Sequence, residues 1–191
     1  MPVSTTLIAI VYHSRFGHTE AQARSIARGA SHFGVQTELI PVADVDQKWD
    51  VLEAAHAIVF GTPTFFGSAS PEFKTFMEKT AGIWSREGWK NKIAAGFTNS
   101  GTPAGDKLST LMQLVVFAAQ HGMHWVNLGL MPSHSASSST FDGPNRLGVW
   151  LGATAFSFSD RDAETAPPEG DHATAEHLGR RVAEVASQLA S

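Results

Sequence analysis

The stretch TLIAIVYHSRFGHTEAQA, residues 6–23, places an apolar strand directly before a polar turn and a helix. Residues 7–12 are the short apolar run that is typical of a strand buried on both faces. Apolar residues then recur at helical spacing, at Ala23, Ile26, Ala27 and Ala30. The turn needs only Gly17, yet Ser14 and Thr19 add two hydroxyls beside the backbone N–H groups that start the helix. Such a turn suits a bound anion.

The rest of the chain continues the alternation of strands and helices. Further strands are predicted at residues 35–40, 56–61, 92–98 and 124–129. Further helices are predicted after the Ser70–Pro71 cap, over 108–119 and over 178–189. Residues 153–159 are either a sixth short strand or a continuation of the fifth. This order predicts an α/β fold, a doubly wound five-stranded parallel sheet with helices on both faces, in a single domain over residues 1–191.

Composition excludes several functional classes. The chain has 191 residues, a formal net charge of −4 and no cysteine. Thiolate catalysis, disulfides and iron–sulfur ligation are therefore excluded, and no basic field favours nucleic acid. No apolar run is long enough to cross a membrane, and no histidine pair has convincing metal spacing. We expect a cytoplasmic protein with no metal, no nucleic-acid partner and no membrane insertion.

Three loops should meet at one edge of the sheet, because ligands of such sheets bind outside the carboxyl ends of the strands. The first loop, HSRFGHT at 13–19, lacks both the dinucleotide-binding glycine pattern and the lysine of a nucleoside-triphosphate loop. Its hydroxyls and N–H groups suit a phosphate monoester. The competing interpretation is an ordinary capped turn between a strand and a helix.

The other two loops add an apolar wall and a polar border. In GTPTFFGSASP, residues 61–71, Phe65 and Phe66 either form a wall for a flat ring or fold back into the core. In TNSGTPAG, residues 98–105, two glycines let the backbone approach a ligand closely. Together the three loops indicate a site for a phosphorylated planar heterocycle, and FMN is the candidate.

The chain resembles the flavodoxin-like NAD(P)H:quinone oxidoreductases through the segments SRFGHT, GTPTFFGSASPEFKTFMEKTAGIW, TNSGTPAG, HGM and LGATAF. The resemblance implies FMN as cofactor, NAD(P)H as electron donor, a quinone as small-molecule substrate, and a homodimer or homotetramer. It implies phosphate contacts from Ser14, Arg15, Phe16, Gly17, His18 and Thr19. It implies contacts along the flavin ring from Pro63, Thr64, Phe65, Phe66 and Gly67. It implies contacts to the ribityl chain and ring from Thr98, Asn99, Ser100, Gly101 and Gly105.

The histidine of HGM, His121, matches a family residue near the open face of the flavin, so the resemblance implies a catalytic role for it. The competing interpretation is a histidine at a helix end, just before Gly122. Two features depart from the family. Phe65 stands where relatives often carry Arg, which removes a contact to nucleotide or substrate. The segment PVADVDQKWD at 41–50 is shorter than in many members, in a region tied to subunit contacts.

The predicted function is therefore FMN-dependent, two-electron reduction of quinones by NAD(P)H. The alternative is a flavodoxin-type electron carrier that docks to protein partners without NAD(P)H oxidase activity of its own. Carriers commonly surround the flavin with acidic residues. Near the three loops the sequence offers Glu72, Asp106 and Asp142 but no acidic cluster. A gene-regulatory role would require a basic stripe or a recognition helix, and the sequence suggests neither.

Overall fold

The computed structural model describes residues 6–189. Its strands are β1 (Leu7–Tyr12), β2 (Gln36–Pro41), β3 (Ala57–Phe65), β4 (Ser68–Ala69), β5 (Ile93–Ser100), β6 (His124–Trp125) and β7 (Ala153–Phe156). Its α-helices are α1 (His18–Ser31), α2 (Trp49–Ala54), α3 (Pro71–Lys79), α4 (Ala81–Ser85), α5 (Lys107–Gln120) and α6 (Glu169–Leu189). A 3-10 helix spans Val42–Gln47. The Ser70 side chain caps α3 as predicted, accepting a hydrogen bond of 3.3 Å from the Phe73 N–H.

The sheet has five parallel positions in the order β2–β1–β3–β5–β6, with β7 sharing the last position. β6 pairs with residues 93–94 at the start of β5, and β7 pairs with residues 97–100 at its end. This is the flavodoxin-like strand order, so the predicted fold class is confirmed. Residues 153–156 therefore continue the fifth strand. Among the strands of residues 6–189, only β4 runs antiparallel, against the end of β3.

The fifth strand is shorter than predicted. The prediction covered residues 124–129, whereas β6 ends at Trp125. Three residues farther on, the Leu128 N–H donates to the Trp150 carbonyl at 2.9 Å. The chain thus leaves the sheet after β6, because its backbone pairs with a later loop, and it returns at β7.

Each face of the sheet buries its own apolar core. In β1, Ile8 and Ile10 belong to one core, and Ala9 and Val11 to the other. Residues of α1 and α6 complete the first core, and residues of α2 to α5 complete the second. This alternation explains why β1 reads as a continuous apolar run, since both of its faces are buried.

The carboxyl ends of the strands and the first turns of the following helices lie at the same edge of the sheet. At this edge β1 leads into α1 and β5 into α5. The 14-residue α5 then returns about 21 Å to the opposite edge, at 1.5 Å per residue. At that edge the Asn91 N–H, just before β5, donates to the Gly122 carbonyl at 2.9 Å. The first residues of α5 therefore lie at the carboxyl edge of the sheet, and its last residues lie at the amino edge.

Candidate functional site

A cavity of about 220 Å³ opens at the carboxyl edge of the sheet. Its lining residues are Ser14, Arg15, Phe16, His18, Thr19, Pro63, Thr64, Phe65, Asn99, Ser100, Gly101, Ser157 and Ser159. All three predicted loops contribute to this set, as the strand-end rule requires. The structure also adds a fourth segment, which follows β7.

The first loop wraps the start of α1. Gly17 has a φ of 85°, and a Cβ there would lie 2.6 Å from the Ala163 Cβ, so both backbone and space require glycine. The Glu20 N–H donates to the Ser14 Oγ at 3.1 Å, which ties the loop to the helix. Thr19 is buried and lines the cavity. The first turn of α1 therefore directs backbone N–H groups without intrahelical partners toward this region.

The fourth segment covers the first loop from the other side. The His18 Nε2 lies 2.9 Å from the Arg161 carbonyl oxygen, and Ser157 and Ser159 line the cavity. These two serines are absent from the site predicted from the sequence. The signal was available, because a strand that ends at Phe156 in a parallel sheet places the following residues at the edge where the other loops meet.

The second loop is a β-hairpin whose tip separates the two predicted wall residues. Phe65 pairs with Ser68, and the turn residues Phe66 and Gly67 both have positive φ, 50° and 73°. The Phe66 ring is fully exposed at the tip and does not line the cavity, whereas Phe65 does. The paired turn holds Phe66 and Gly67 outside the cavity lining, so their contacts to a flavin ring stay predictions.

The third loop supplies Asn99, Ser100 and Gly101 to the lining. The Ser157 Oγ donates to the Asn99 Oδ1 at 2.9 Å, which links this loop to the fourth segment. Thr98 is fully buried, its hydroxyl 2.8 Å from that of Thr64, and it is not in the cavity lining, so its ligand contact stays a prediction.

Two glycines of the predicted site stand behind its surface. A Cβ at Gly105 would lie 2.1 Å from the Ser100 Oγ, and a Cβ at Gly17 would meet Ala163. Neither glycine is among the lining residues. Because neither glycine has a side chain, the two loops can pack closely at these positions. The residues next to the glycines line the cavity.

His121 does not reach the cavity. It follows α5 at the amino edge of the sheet, whereas Ser100 and Gly101 precede the other end of that helix. Its Nε2 lies 2.9 Å from the Thr80 Oγ1, and its ring packs 4.7 Å from Trp89 and 4.8 Å from Phe117 between ring centroids. Burial lowers the pKa of His121. Within this single chain α5 separates His121 from the cavity by the length of the helix, so the catalytic role that the resemblance implies stays a prediction.

The charges at the cavity suit an anionic ligand. None of the lining residues that the structure describes is an Asp or Glu, and Arg15 and His18 are among them. Just outside, the His13 Nδ1 lies 2.8 Å from the Ser70 Oγ and 3.6 Å from the Glu72 Oε2. Burial lowers the pKa of His13, with Glu72 opposing the shift. The serine and threonine hydroxyls can donate to phosphate without a carboxylate opposing it.

Comparison with known proteins identifies the family. The family model described as NADPH-dependent FMN reductase matches residues 47–137. Flavodoxin FldP of Pseudomonas aeruginosa is 40% identical over 183 residues, covering 94% of this chain and 96% of that protein. An NAD(P)H dehydrogenase (quinone) of Nitrobacter winogradskyi is 30% identical, covering 95% of this chain and 98% of that protein. The chain belongs to the flavodoxin-like NAD(P)H:quinone oxidoreductase family.

Structural comparison agrees with membership of this family. The flavodoxin, WrbA-like protein from Agrobacterium tumefaciens superposes with a TM-score of 0.76 at 35% identity, covering 96% of this chain and 99% of that one. The predicted family resemblance is thereby confirmed. FMN is the cofactor of this oxidoreductase family, so the predicted cofactor is confirmed at that level.

The residues of the cavity fit FMN. The start of α1, with Ser14 and Thr19, offers donors for a phosphate, and the apolar Pro63 and Phe65 offer a surface for a flat ring. Within residues 6–189, no helix is long and apolar enough to cross a membrane, and no group of three or more His, Asp or Glu side chains could hold a metal ion. The cytoplasmic location stays a prediction.

Proposed function

We propose that this protein is an FMN-dependent NAD(P)H:quinone oxidoreductase. The observation that carries the proposal is the cavity itself, which combines a helix start, hydroxyl donors and an apolar wall at the strand ends of a flavodoxin-like sheet. Ligand pockets usually measure about 300–1,000 Å³. A flavin held in a cavity of about 220 Å³ keeps part of its surface exposed, where a nicotinamide and a quinone can approach in turn.

The chain's own residues bind and orient the cofactor. Ser14, Thr19 and the first N–H groups of α1 would hold the phosphate, and Phe65 would lie along the ring. Asn99 and Ser100 would border the polar part of the cofactor, held in place by Ser157. Bound FMN would supply the two-electron redox chemistry that couples oxidation of NAD(P)H to reduction of a quinone.

The test of the activity is an anaerobic reduction experiment. Purified protein loaded with FMN is mixed with NADH or NADPH, and benzoquinone is added afterwards. Rapid bleaching of the flavin band followed by its rapid return supports the proposal. A flavin that stays oxidised with both nucleotides contradicts it.

The binding mode is tested by comparing FMN with riboflavin, which lacks the phosphate. Hydrogen bonds to a charged group contribute about 1.5–3 kcal/mol each, so FMN should bind far more tightly. Thr19→Ala should weaken FMN about tenfold, a difference of about 1.4 kcal/mol, and leave riboflavin binding unchanged. Thr75→Ala is the matched control, because this exposed hydroxyl donates to the Pro71 carbonyl on α3. Equal affinities for FMN and riboflavin would exclude the phosphate site.

A flavodoxin-type carrier is the second candidate, and one surface feature favours it. Asp160, Asp162 and Glu164 follow the cavity residue Ser159, and Arg161 is the one basic residue among them. An acidic rim of this kind attracts basic protein partners. If the protein is a carrier, neither NADH nor NADPH should reduce its bound flavin directly, and a protein reductase should. The anaerobic experiment therefore separates the two functions.

We further propose that the protein forms a homodimer or homotetramer. Leu108, Met112 and Val116 lie at intervals of four residues along α5, and each is about half exposed. An apolar stripe on a helix favours burial against another surface. Light scattering coupled to size exclusion should give a multiple of the 20.4 kDa chain mass, and Met112→Glu should shift the population toward monomer. A wild-type mass of one chain would contradict this proposal.

A further inference from the structure

Lys107 is a buried lysine directly behind the cavity. Among the lysines of residues 6–189 it alone is buried, with 1% of its surface exposed. Its Nζ donates to the Ser100 Oγ at 2.7 Å, the Thr102 carbonyl at 2.8 Å and the Pro103 carbonyl at 2.9 Å. One of these partners, Ser100, lines the cavity. The ammonium is therefore one hydrogen bond away from a residue of the cavity lining.

The charge of this ammonium is not neutralised by a contacting carboxylate. Asp171 is buried, but it makes a bidentate ion pair with Arg146, at 2.7 and 2.9 Å, and also accepts the Phe156 N–H at 2.9 Å. The Lys107 Nζ donates instead to a hydroxyl and two carbonyls, which are neutral groups. Together, Lys107, Arg146 and Asp171 carry one net positive charge behind the cavity lining.

Burial makes this charge easier to remove. Desolvation lowers the pKa of Lys107 to about 8, while Asp171 raises it and Arg146 lowers it further. Asp171 lies on α6 and Arg146 in the loop before β7, and these are the charged groups that act on the ammonium. As pH rises through about 8, this side chain progressively loses its charge.

We propose that Lys107 positions the 100–103 loop and supplies the buried positive charge that makes bound FMN easier to reduce. The inference rests on the proposed function, since it requires FMN in the cavity. Reduction adds negative charge to the ligand, and a nearby cation in a site of low dielectric favours that state. Lys107 thus acts through Ser100 and through its field, as a positioning residue.

The experiment measures the midpoint potential of bound FMN in wild type and in Lys107→Met. We expect at least a tenfold loss in the preference for reduced over oxidised FMN, which for two electrons is a fall of about 30 mV. Lys92→Met is the matched control. Lys92 also donates to two backbone carbonyls, of Glu53 and Ala55, but it lies before β5 at the opposite edge of the sheet. Its loss should leave the potential unchanged.

The pH dependence separates charge from loop structure. The difference between wild type and Lys107→Met should be full below pH 8, where Lys107 is protonated. It should decline between about pH 8 and 9, because a tenfold preference raises the pKa of Lys107 by one unit when FMN is reduced, and it should be lost by about pH 10. A difference that persists unchanged to pH 10 would overturn the inference, because a purely structural defect does not titrate with this lysine.

Wild type alone provides a second test if Lys107→Met does not fold. Its midpoint potential should bend with pH between about 8 and 9, and Lys92→Met should show the same bend. A potential without that bend would overturn the inference. Failure of the proposed function looks different, because FMN would then not bind or would not be reduced by either nucleotide. The inference itself fails when FMN binds and is reduced but Lys107→Met leaves its potential unchanged.

Discussion

At the scale of single residues, aromatic side chains with the same chemistry occupy opposite environments. The Phe66 ring stands free at a hairpin tip, whereas Phe76 is almost fully buried, with ring centroids 5.3 Å from Phe73 and 6.3 Å from Phe117. Phe76→Ala should lower the free energy of unfolding by about 3–5 kcal/mol. Phe66→Ala should change it by no more than about 0.5 kcal/mol. Urea denaturation of both variants checks this, and the reverse order would mean that the hairpin is folded differently.

The position of His121 makes a second prediction at this scale. His121→Gln should leave FMN affinity and the rate of flavin reoxidation by quinone unchanged, because the side chain lies a helix length from the cavity. It should still lower stability by about 1–3 kcal/mol, since it disturbs the contacts to Thr80, Trp89 and Phe117. Stopped-flow spectroscopy and denaturation measure the two effects. Slowed reoxidation with FMN fully bound would restore a catalytic role.

At the scale of elements, α1 and α6 approach so closely that glycine is required between them. A Cβ at Gly29 would lie 2.0 Å from the Glu176 carbonyl oxygen, and one at Gly179 would lie 2.0 Å from that of Ile26. Both obstacles are backbone atoms, so the helices themselves would have to separate. This contact fixes α1, and with it the first loop of the cavity, against the last helix of the chain.

Gly29→Ala should therefore destabilise the protein by about 1–3 kcal/mol or more, the usual cost of overpacking. Gly82→Ala is the matched control on α4, because a Cβ there meets nothing within 4 Å. It should stabilise the protein by up to about 1 kcal/mol, since alanine favours the helix. Thermal unfolding of the two variants measures both. A neutral Gly29→Ala would show that the helices can move apart without cost.

At the scale of the whole molecule, three partly buried histidines predict how stability depends on acid. Burial lowers the pKa of His13, His121 and His177 relative to the unfolded chain. The unfolded state therefore binds more protons, so stability should be full above pH 6.5 and fall as pH decreases through the lowered values. Denaturation at pH 7, 6 and 5 should show this loss, and His121→Gln should show a smaller one. An unchanged free energy of unfolding between pH 7 and pH 5 would contradict it.

The sequence by itself determined the strands, the main helices and the edge at which the loops meet. These follow from hydrophobic periodicity, which is a local pattern set by which face of each element is buried. It also located most of the cavity, because Ser14, Thr19, Phe65 and Asn99 all follow the predicted ends of their strands. The rule that ligands bind at the carboxyl ends of parallel strands requires only the order of strands and helices, and the sequence pattern predicts that order.

Only the tertiary structure decided where individual side chains of that region go. The hairpin pairing selects Phe65 over its neighbour Phe66, and the length of α5 carries His121 to the far edge. The shared fifth strand brings Ser157 to the cavity, and the folded loop encloses Lys107. Each outcome depends on partners that are distant in sequence or on the direction of a turn. Contacts between distant residues and the direction of a turn leave no periodic pattern in the sequence.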